Sequence, residues 1–188
     1  MSTAAPPDRP LRADAARNRE RILTSARELF ADTGRTVQME ELAQHAGVGV
    51  GTVYRHFPTK EALVDAIATR RWEEVLQHMD ADCMPHADSF AAMERLLRHA
   101  GEIQERDRCF CDVVEQVTGE AKPSGEAFER VDARLGELLE RGRAAGALRD
   151  DITCERMHGV FCGLAAVVRS GQDWRPYVEI VLDGLRGR

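Results

Sequence analysis

Apolar residues recur along this chain of 188 residues with the three-to-four spacing of a single helix face, and no segment alternates with the period of two that marks a half-buried strand. The pattern predicts an all-α fold. The first dozen residues hold Pro6, Pro7 and Pro10 among small and charged side chains and read as a loose arm. From Asp14 the pattern turns helical: Ile22, Leu23, Ala26, Leu29 and Phe30 share a stripe, and Gly34 stops the helix. Residues 38–45 read as a short second helix, Gly47 as a tight turn, and residues 50–56 as a third helix closed by Phe57-Pro58. Thr59 is placed to cap a long fourth helix, with Glu61 in its first turn complementing the dipole. Val64, Ala68, Trp72, Val75, Leu76 and Met79 trace one side of that helix until Pro85.

Later stripes keep the same period. Met93, Leu96, Leu97, Ala100 and Ile103 form one, and Phe110, Val113, Val114 and Val117 the next. Beyond a break at 119–123 come Phe128, Val131, Leu135, Leu138 and Leu139, ending in the glycine-rich stretch 142–146. Asp150 or Asp151 is expected to cap a helix bearing Val160, Phe161, Leu164, Val167 and Val168. A last helix carries Tyr177, Val178, Val181, Leu182 and Leu185.

Composition narrows the function classes. With 43% hydrophobic and 31% charged residues the chain can build a core, so global disorder is excluded. No window approaches the roughly 18 uninterrupted apolar residues of a membrane span, and no signal-peptide stretch opens the chain, so a cytoplasmic location without a membrane partner is expected. Five cysteines, Cys83, Cys109, Cys111, Cys154 and Cys162, stand at irregular spacing and suggest neither a disulfide framework nor zinc. His78, His86 and His99 show no metal-ligand spacing, and no metal, cofactor or catalytic residue is expected. The net charge of −6 is unevenly spread: residues 1–60 carry nine Lys/Arg against seven Asp/Glu, whereas residues 61–188 carry seventeen against twenty-five. A basic head on an acidic body lets one end approach a polyanion.

The chemistry concentrates in residues 38–57, QMEELAQHAGVGVGTVYRHF. Leu42, Ala43, Gly47 and Val48 have the spacing of a helix-turn-helix, with a small Ala43 for close helix approach and a Gly47 free to turn left-handed. Val53 faces the small core while Thr52, Tyr54 and His56 point elsewhere. No acid occurs between Gly47 and Lys60, as a surface that meets phosphates requires. The glycines at 47, 49 and 51 follow no strand and so do not form a dinucleotide fingerprint.

Residues 19–63 resemble the N-terminal domain of the TetR family of bacterial transcriptional regulators. The resemblance rests on Arg21-Ile22-Leu23, Ala26, Leu29-Phe30, Gly34, Leu42-Ala43, Ala46-Gly47-Val48, Gly51 through Phe57, and Lys60-Glu61-Ala62-Leu63. A weaker likeness to one subgroup covers Gly146 to Asp151 and Tyr177 to Arg186. Two positions depart from the family pattern: Gly49 stands for the usual serine opening the recognition helix, and Gln38 for a common threonine opening the helix before it. The resemblance implies a flexible arm over residues 1–13, a helix-turn-helix DNA-binding domain over 14–58, and a helical regulatory and dimerisation domain over 59–188. It also implies a homodimer on a palindromic double-stranded operator, with half-site centres about 34–36 Å apart.

By residue match the DNA contacts fall to Gln38, Met39, Gly49, Val50, Gly51, Thr52, Tyr54, Arg55, His56 and Lys60. Tyr54, His56 and Lys60 suit the backbone, Val50 and Thr52 the base edges, and Arg55 either; Arg17 and the arginines of the arm add nonspecific attraction. The implied dimer interface comprises Val160, Phe161, Leu164, Val167, Val168, Tyr177, Val181, Leu182 and Leu185, with core packing within one chain as the alternative. Gly159 and Gly163 would admit a close helix approach there. A small hydrophobic effector is implied in the C-terminal domain, with Trp72, Met93, Leu97, Phe110, Val114, Phe128 and Cys162 as candidate lining or simply core, and the long fourth helix as lever. The expected function is a repressor released by that effector. A thiol-based redox regulator using Cys109 and Cys111, and a helical ligand carrier without DNA binding, are the alternatives.

Overall fold

The computed structural model describes residues 9–33, 37–118 and 125–187. These form α1 (Arg9–Thr33), α2 (Met39–Ala46), α3 (Val50–His56), α4 (Lys60–His78), α5 (Ser89–Arg106), α6 (Phe110–Thr118), α7 (Glu126–Ala144), α8 (Cys154–Arg169) and α9 (Arg175–Leu185). Among the described residues the nearest approach to a sheet is one isolated antiparallel bridge, Leu148 to Arg186. The fold is all-α, as the periodicity requires.

The chain divides into two compact units. The first, hereafter the head, holds the residues up to Ile67 and the segment carrying α6. Its core draws Ile22, Leu23, Ala26 and Phe30 from α1, Leu42 and Ala43 from α2, Val53 from α3, and Leu63, Val64 and Ile67 from the start of α4, all buried. Burial of each larger aliphatic among them contributes roughly 1.5–3 kcal/mol, which an isolated seven-residue helix such as α3 needs in order to exist. Thr59 caps α4 through its hydroxyl, which accepts from the Ala62 N–H at 3.1 Å. Hydrogen bonds from the Glu61 amide and from Thr59, together with Lys60, hold the Glu61 carboxyl below its ordinary range.

The second unit, the body, runs from Ala68 to Arg108 and resumes after α6. Met79, Cys83, Met93, Leu97, Leu138, Leu139, Met157, Leu164 and Val178 lie at its apolar centre. Glycines set its closest packing. A Cβ on Gly101 would lie 2.4 Å from the Trp174 ring, one on Gly142 2.4 Å from Leu148 Cδ1, and one on Gly163 2.3 Å from the Tyr177 hydroxyl. Trp174 Nε1 donates to Glu105 at 3.1 Å and the Tyr177 hydroxyl to the Val160 carbonyl at 3.1 Å, so neither ring buries an unpaired donor.

Several boundaries differ from the sequence expectation. Helix α1 opens at Arg9, so residues 9–13 of the expected arm are helical; Pro10 near the helix start fits because the first turn needs no N–H from it. The rest of the arm and Gly34 lie outside the described residues. Helix α4 ends at His78 rather than near Pro85, and Met79–Cys83 continue it as a π-helical turn closed by the Met84 N–H on the Met79 carbonyl at 2.8 Å. Arg141 secures that turn, donating to the carbonyls of Met84 (2.6 Å) and Cys83 (3.2 Å). Thr153, not Asp150 or Asp151, caps α8, accepting from the Arg156 N–H at 3.3 Å; Asp151 is engaged by Arg149 and Arg156 instead.

The two compact units part within α4, between Ile67 and Ala68. The first turns of α4 and all of α6 belong to the head, because Leu63, Val64 and Ile67 complete its core and α6 packs on α1. Gly163 is occupied by Tyr177 of the same chain, while Gly159 stands open.

Candidate nucleic-acid interface

Helices α2 and α3 meet at Gly47, whose φ of 62° places it in the left-handed region that favours glycine. Its N–H returns to the Gln44 carbonyl at 3.1 Å, and the Val48 N–H to the Ala43 carbonyl at 3.0 Å, so the last carbonyls of α2 are satisfied within the turn. Ala43 and Ala46 are buried beneath it, small enough for α3 to cross closely. Gln38 and Gly49 sit at the N-caps of α2 and α3 with extended backbones and no side-chain cap. Both helix starts therefore lack the side-chain oxygen that serine or threonine would supply.

On α3, Val53 is the buried residue, and Val50 (42% exposed), Gly51, Tyr54 (45%) and Arg55 form the open face. Thr52, His56 and Lys60 are half-buried, and Gln38 and Gly49 are exposed. This face carries hydroxyl, guanidinium and imidazole groups and no carboxylate, so it offers donors to phosphate or base edges without a repelling charge. Met39 differs from the other candidates. Its side chain is 3% exposed and packs in the head core, because the first turn of a short amphipathic helix turns that position inward, away from the open face.

Helix α1 grips this pair of helices. Arg21 Nη2 donates to the Ala46 carbonyl at 2.6 Å and the Gly47 carbonyl at 3.1 Å. Arg19 lies over the Phe57 ring at 5.5 Å, and Glu28 faces His45 Nδ1 at 3.8 Å. In the sequence Arg21 stands only as part of a motif; a basic residue directly before the buried pair Ile22-Leu23 was the available signal. Arg17, expected to attract DNA, is paired with Asp14.

The pocket candidates do not gather within either unit. Phe110 and Val114 belong to the head. In the body, Met93 and Leu97 are wholly buried core, Cys162 is exposed, and Trp72 and Phe128 are half-buried in an edge-to-face pair 5.1 Å apart. An open groove on α4, the π-helical turn after it and α7 is lined by Glu73, Leu76, Gln77, Asp80, Ala81 and Arg130, none of them a candidate. Of the interface candidates, Leu164, Val168, Leu182 and Leu185 are buried in the chain's own core, while Val160, Phe161, Val167, Tyr177 and Val181 are half-buried at its edge. Ile180, 71% exposed on α9, was missed because it falls off the apolar stripe.

Among the described residues no group of three His, Cys, Asp or Glu is arranged to hold a metal ion, and no helix is long and apolar enough to cross a membrane. Cys83, Cys109, Cys154 and Cys162 are free thiols. Burial pushes the Cys83 thiol up to about 11 and raises Cys154 as well, which keeps both protonated and poorly nucleophilic. The Cys111 side chain lies outside the described residues.

Residues 22–67 match the family model described as bacterial regulatory proteins of the tetR family. A crystallised TetR transcription regulatory protein from Mycobacterium vanbaalenii is 35% identical, with 94% of this chain and 99% of that chain covered and a TM-score of 0.68. The nucleoid occlusion factor SlmA of Marinobacter nauticus is 27% identical over 73% of this chain and 74% of its own length. The transcriptional regulator UidR of Escherichia coli is 36% identical over 35% of this chain and 34% of its own.

Proposed function

The chain belongs to the TetR family of bacterial transcriptional regulators, and on that premise we propose that it is a homodimeric repressor released from a palindromic operator by a small hydrophobic ligand. The observation that carries the DNA-binding half is the open, acid-free face of α3 held on a glycine turn. Exposed contacts are assigned to Gln38, Gly49, Val50, Gly51, Tyr54 and Arg55, with Thr52, His56 and Lys60 at the margin. If a dimer neutralises roughly six to eight phosphates, log K falls with log salt at a slope of about −0.9 per phosphate.

The dimer reading is supported by the edge of α8 and α9, where half-buried Val160, Phe161, Val167 and Val181 adjoin exposed Ile180 and the open Gly159. A protein that binds an inverted repeat with one surface must present that surface twice. The ligand reading is supported by Trp72 and Phe128, an aromatic pair left half-open at the edge of an aliphatic core. To weaken operator binding a hundredfold the ligand needs a differential affinity of about 2.7 kcal/mol between the two states. The polypeptide first passes from head to body within α4, which makes that helix one covalent route for the change.

The test combines a mobility shift on the DNA flanking the protein's own gene with sedimentation. The purified protein should sediment as a dimer and shift one flanking region at modest salt. Ile180→Asp should yield a folded monomer with at least about tenfold weaker binding. A wild-type protein that sediments as a monomer, or shifts none of the flanking DNA, defeats the proposal.

A further inference from the structure

From the grip of α1 on the glycine turn we infer that Arg21 is a positioning residue for DNA recognition: it sets the tilt of α3 and so decides which bases the open face meets. The inference rests on the DNA-binding reading above. One guanidinium nitrogen, Nη2, bridges two successive carbonyls, Ala46 (2.6 Å) and Gly47 (3.1 Å), at the C-terminal end of α2. A cation at the negative end of a helix, donating charge-assisted bonds to carbonyls already bent into a left-handed turn, is held in register by both geometry and field. The same nitrogen lies 2.8 Å from where a Gly47 Cβ would stand, so turn and guanidinium fit each other with no room between them. Val48 and Gly49 are all that separate this turn from the first residue of α3. A rotation at Gly47 therefore has only two residues in which to be absorbed before it reaches Val50, Tyr54 and Arg55. Arg21 itself belongs to neither α2 nor α3; it reaches the turn from α1, whose next two residues, Ile22 and Leu23, are wholly buried. The anchor is thus set beside wholly buried core of the head.

A positioning residue and a phosphate contact make opposite predictions. Phosphate contacts act on every duplex alike and steepen the salt dependence, whereas orientation matters only where bases are read. The test begins with a duplex enriched by the wild-type protein from a random-sequence pool, and a scrambled duplex of equal length. Arg21→Gln should bind the selected duplex at least about tenfold more weakly, bind the scrambled duplex like the wild type, and keep the wild-type salt slope on both. Arg21→Lys, which retains the charge, should fall between wild type and Arg21→Gln on the selected duplex and equal the wild type on the scrambled one. Gly47→Ala, which drives a Cβ into the guanidinium, should lose selected-duplex affinity, and combining it with Arg21→Gln should cost less than the two losses multiplied. Equal loss on both duplexes with a shallower slope would make Arg21 a phosphate contact and overturn the inference. So would an Arg21→Lys variant indistinguishable from wild type on the selected duplex, or an Arg21→Gln variant that loses nothing. A wild-type protein that enriches no sequence removes the DNA-binding reading itself. Should Arg21→Gln prove unfolded by circular dichroism, the lysine variant alone decides.

Discussion

The head and the body are built by the same rule and constrained in different ways. Each is a set of amphipathic helices around an apolar centre, and each contains glycines that tolerate no side chain. In the body, Gly101, Gly142 and Gly163 are fixed by what packs on them: Trp174, Leu148 and Tyr177. In the head, Gly47 is fixed by its own φ of 62° and by the guanidinium of Arg21, and what it holds in place is an exposed surface. Residue identity in the body therefore reports packing. In the head the buried positions such as Leu42, Val53 and Leu63 report packing, and the open face of α3 is free of that constraint. A constrained backbone beneath an exposed face is what separates a working site from a well-filled core.

The largest effects test whether the two units share their stability. Leu42 in the head and Leu138 in the body are both wholly buried. Truncation of either to alanine should cost about 2–5 kcal/mol in urea unfolding. Leu42→Ala should in addition abolish the DNA shift, whereas Leu138→Ala should leave the shift intact at temperatures where the body is still folded. Loss of binding in both, with the body still folded in Leu138→Ala, would mean that the DNA face depends on the body's packing, and the contrast between them would fail. Gly101→Ala should cost about 1–3 kcal/mol, since a Cβ 2.4 Å from the Trp174 ring forces the indole to move. Because Trp174 is one of two tryptophans in the chain, its displacement should also change the emission maximum.

The same contrast decides how much of the molecule is legible in its sequence. Helix period places the described helices close to their observed positions, because burial on one face is a local property of the chain. The turn at Gly47 and the open face of α3 are legible for the same reason: Gly47, Val53 and Tyr54 lie within eight residues of one another. The burial of Met39 is not legible there, because a residue match carries no burial. The unit to which each pocket candidate belongs is not legible in the sequence. Phe110 and Val114 look like further members of the body stripe, yet α6 folds with the head; which unit an apolar helix joins depends on packing between residues remote in sequence, and periodicity is blind to it. The π-turn at Met79–Cys83 and its clasp by Arg141, 57 residues on from Met84, are hidden in the same way.

A smaller effect isolates the DNA face. Tyr54 is 45% exposed, so its truncation removes little packing. Tyr54→Ala should leave urea stability within about 0.5 kcal/mol and the dimer intact. It should weaken binding on every duplex while keeping the wild-type salt slope, because the neutral phenol hydroxyl displaces no counterion from a phosphate. A stability loss comparable to that of Leu42→Ala would assign Tyr54 to the core and shrink the candidate interface to its flanks.

The smallest effect separates the units by pH. His78 and His99 stack in the body with ring centroids 3.8 Å apart and 18° between planes, and the Nε2 atom of each is buried without a hydrogen-bond partner. Burial, then the neighbouring His78, lowers the His99 pKa, with Arg106 acting in the same direction and Glu74 and Glu102 opposing. A histidine whose folded-state pKa lies below its unfolded value of about 6.5 binds its proton more readily when the chain unfolds. Its contribution is constant above neutrality and turns against the fold as pH falls through the unfolded value toward the lower folded one. Body stability should thus decline on acidification below about pH 6.5. His99→Gln should flatten that part of the stability curve while leaving the plateau above neutrality parallel to the wild type. The head has no such stacked pair among its described residues: His45 is exposed beside Glu28, and His56 lies tilted beside Phe57 at 6.3 Å. A probe confined to the head, such as the Tyr54 ring signals in NMR, should therefore follow a curve that His99→Gln leaves unchanged. If the substitution moved the head's curve as much as the body's, the two units would be one cooperative structure with respect to protons, and neither could be credited with a stability of its own.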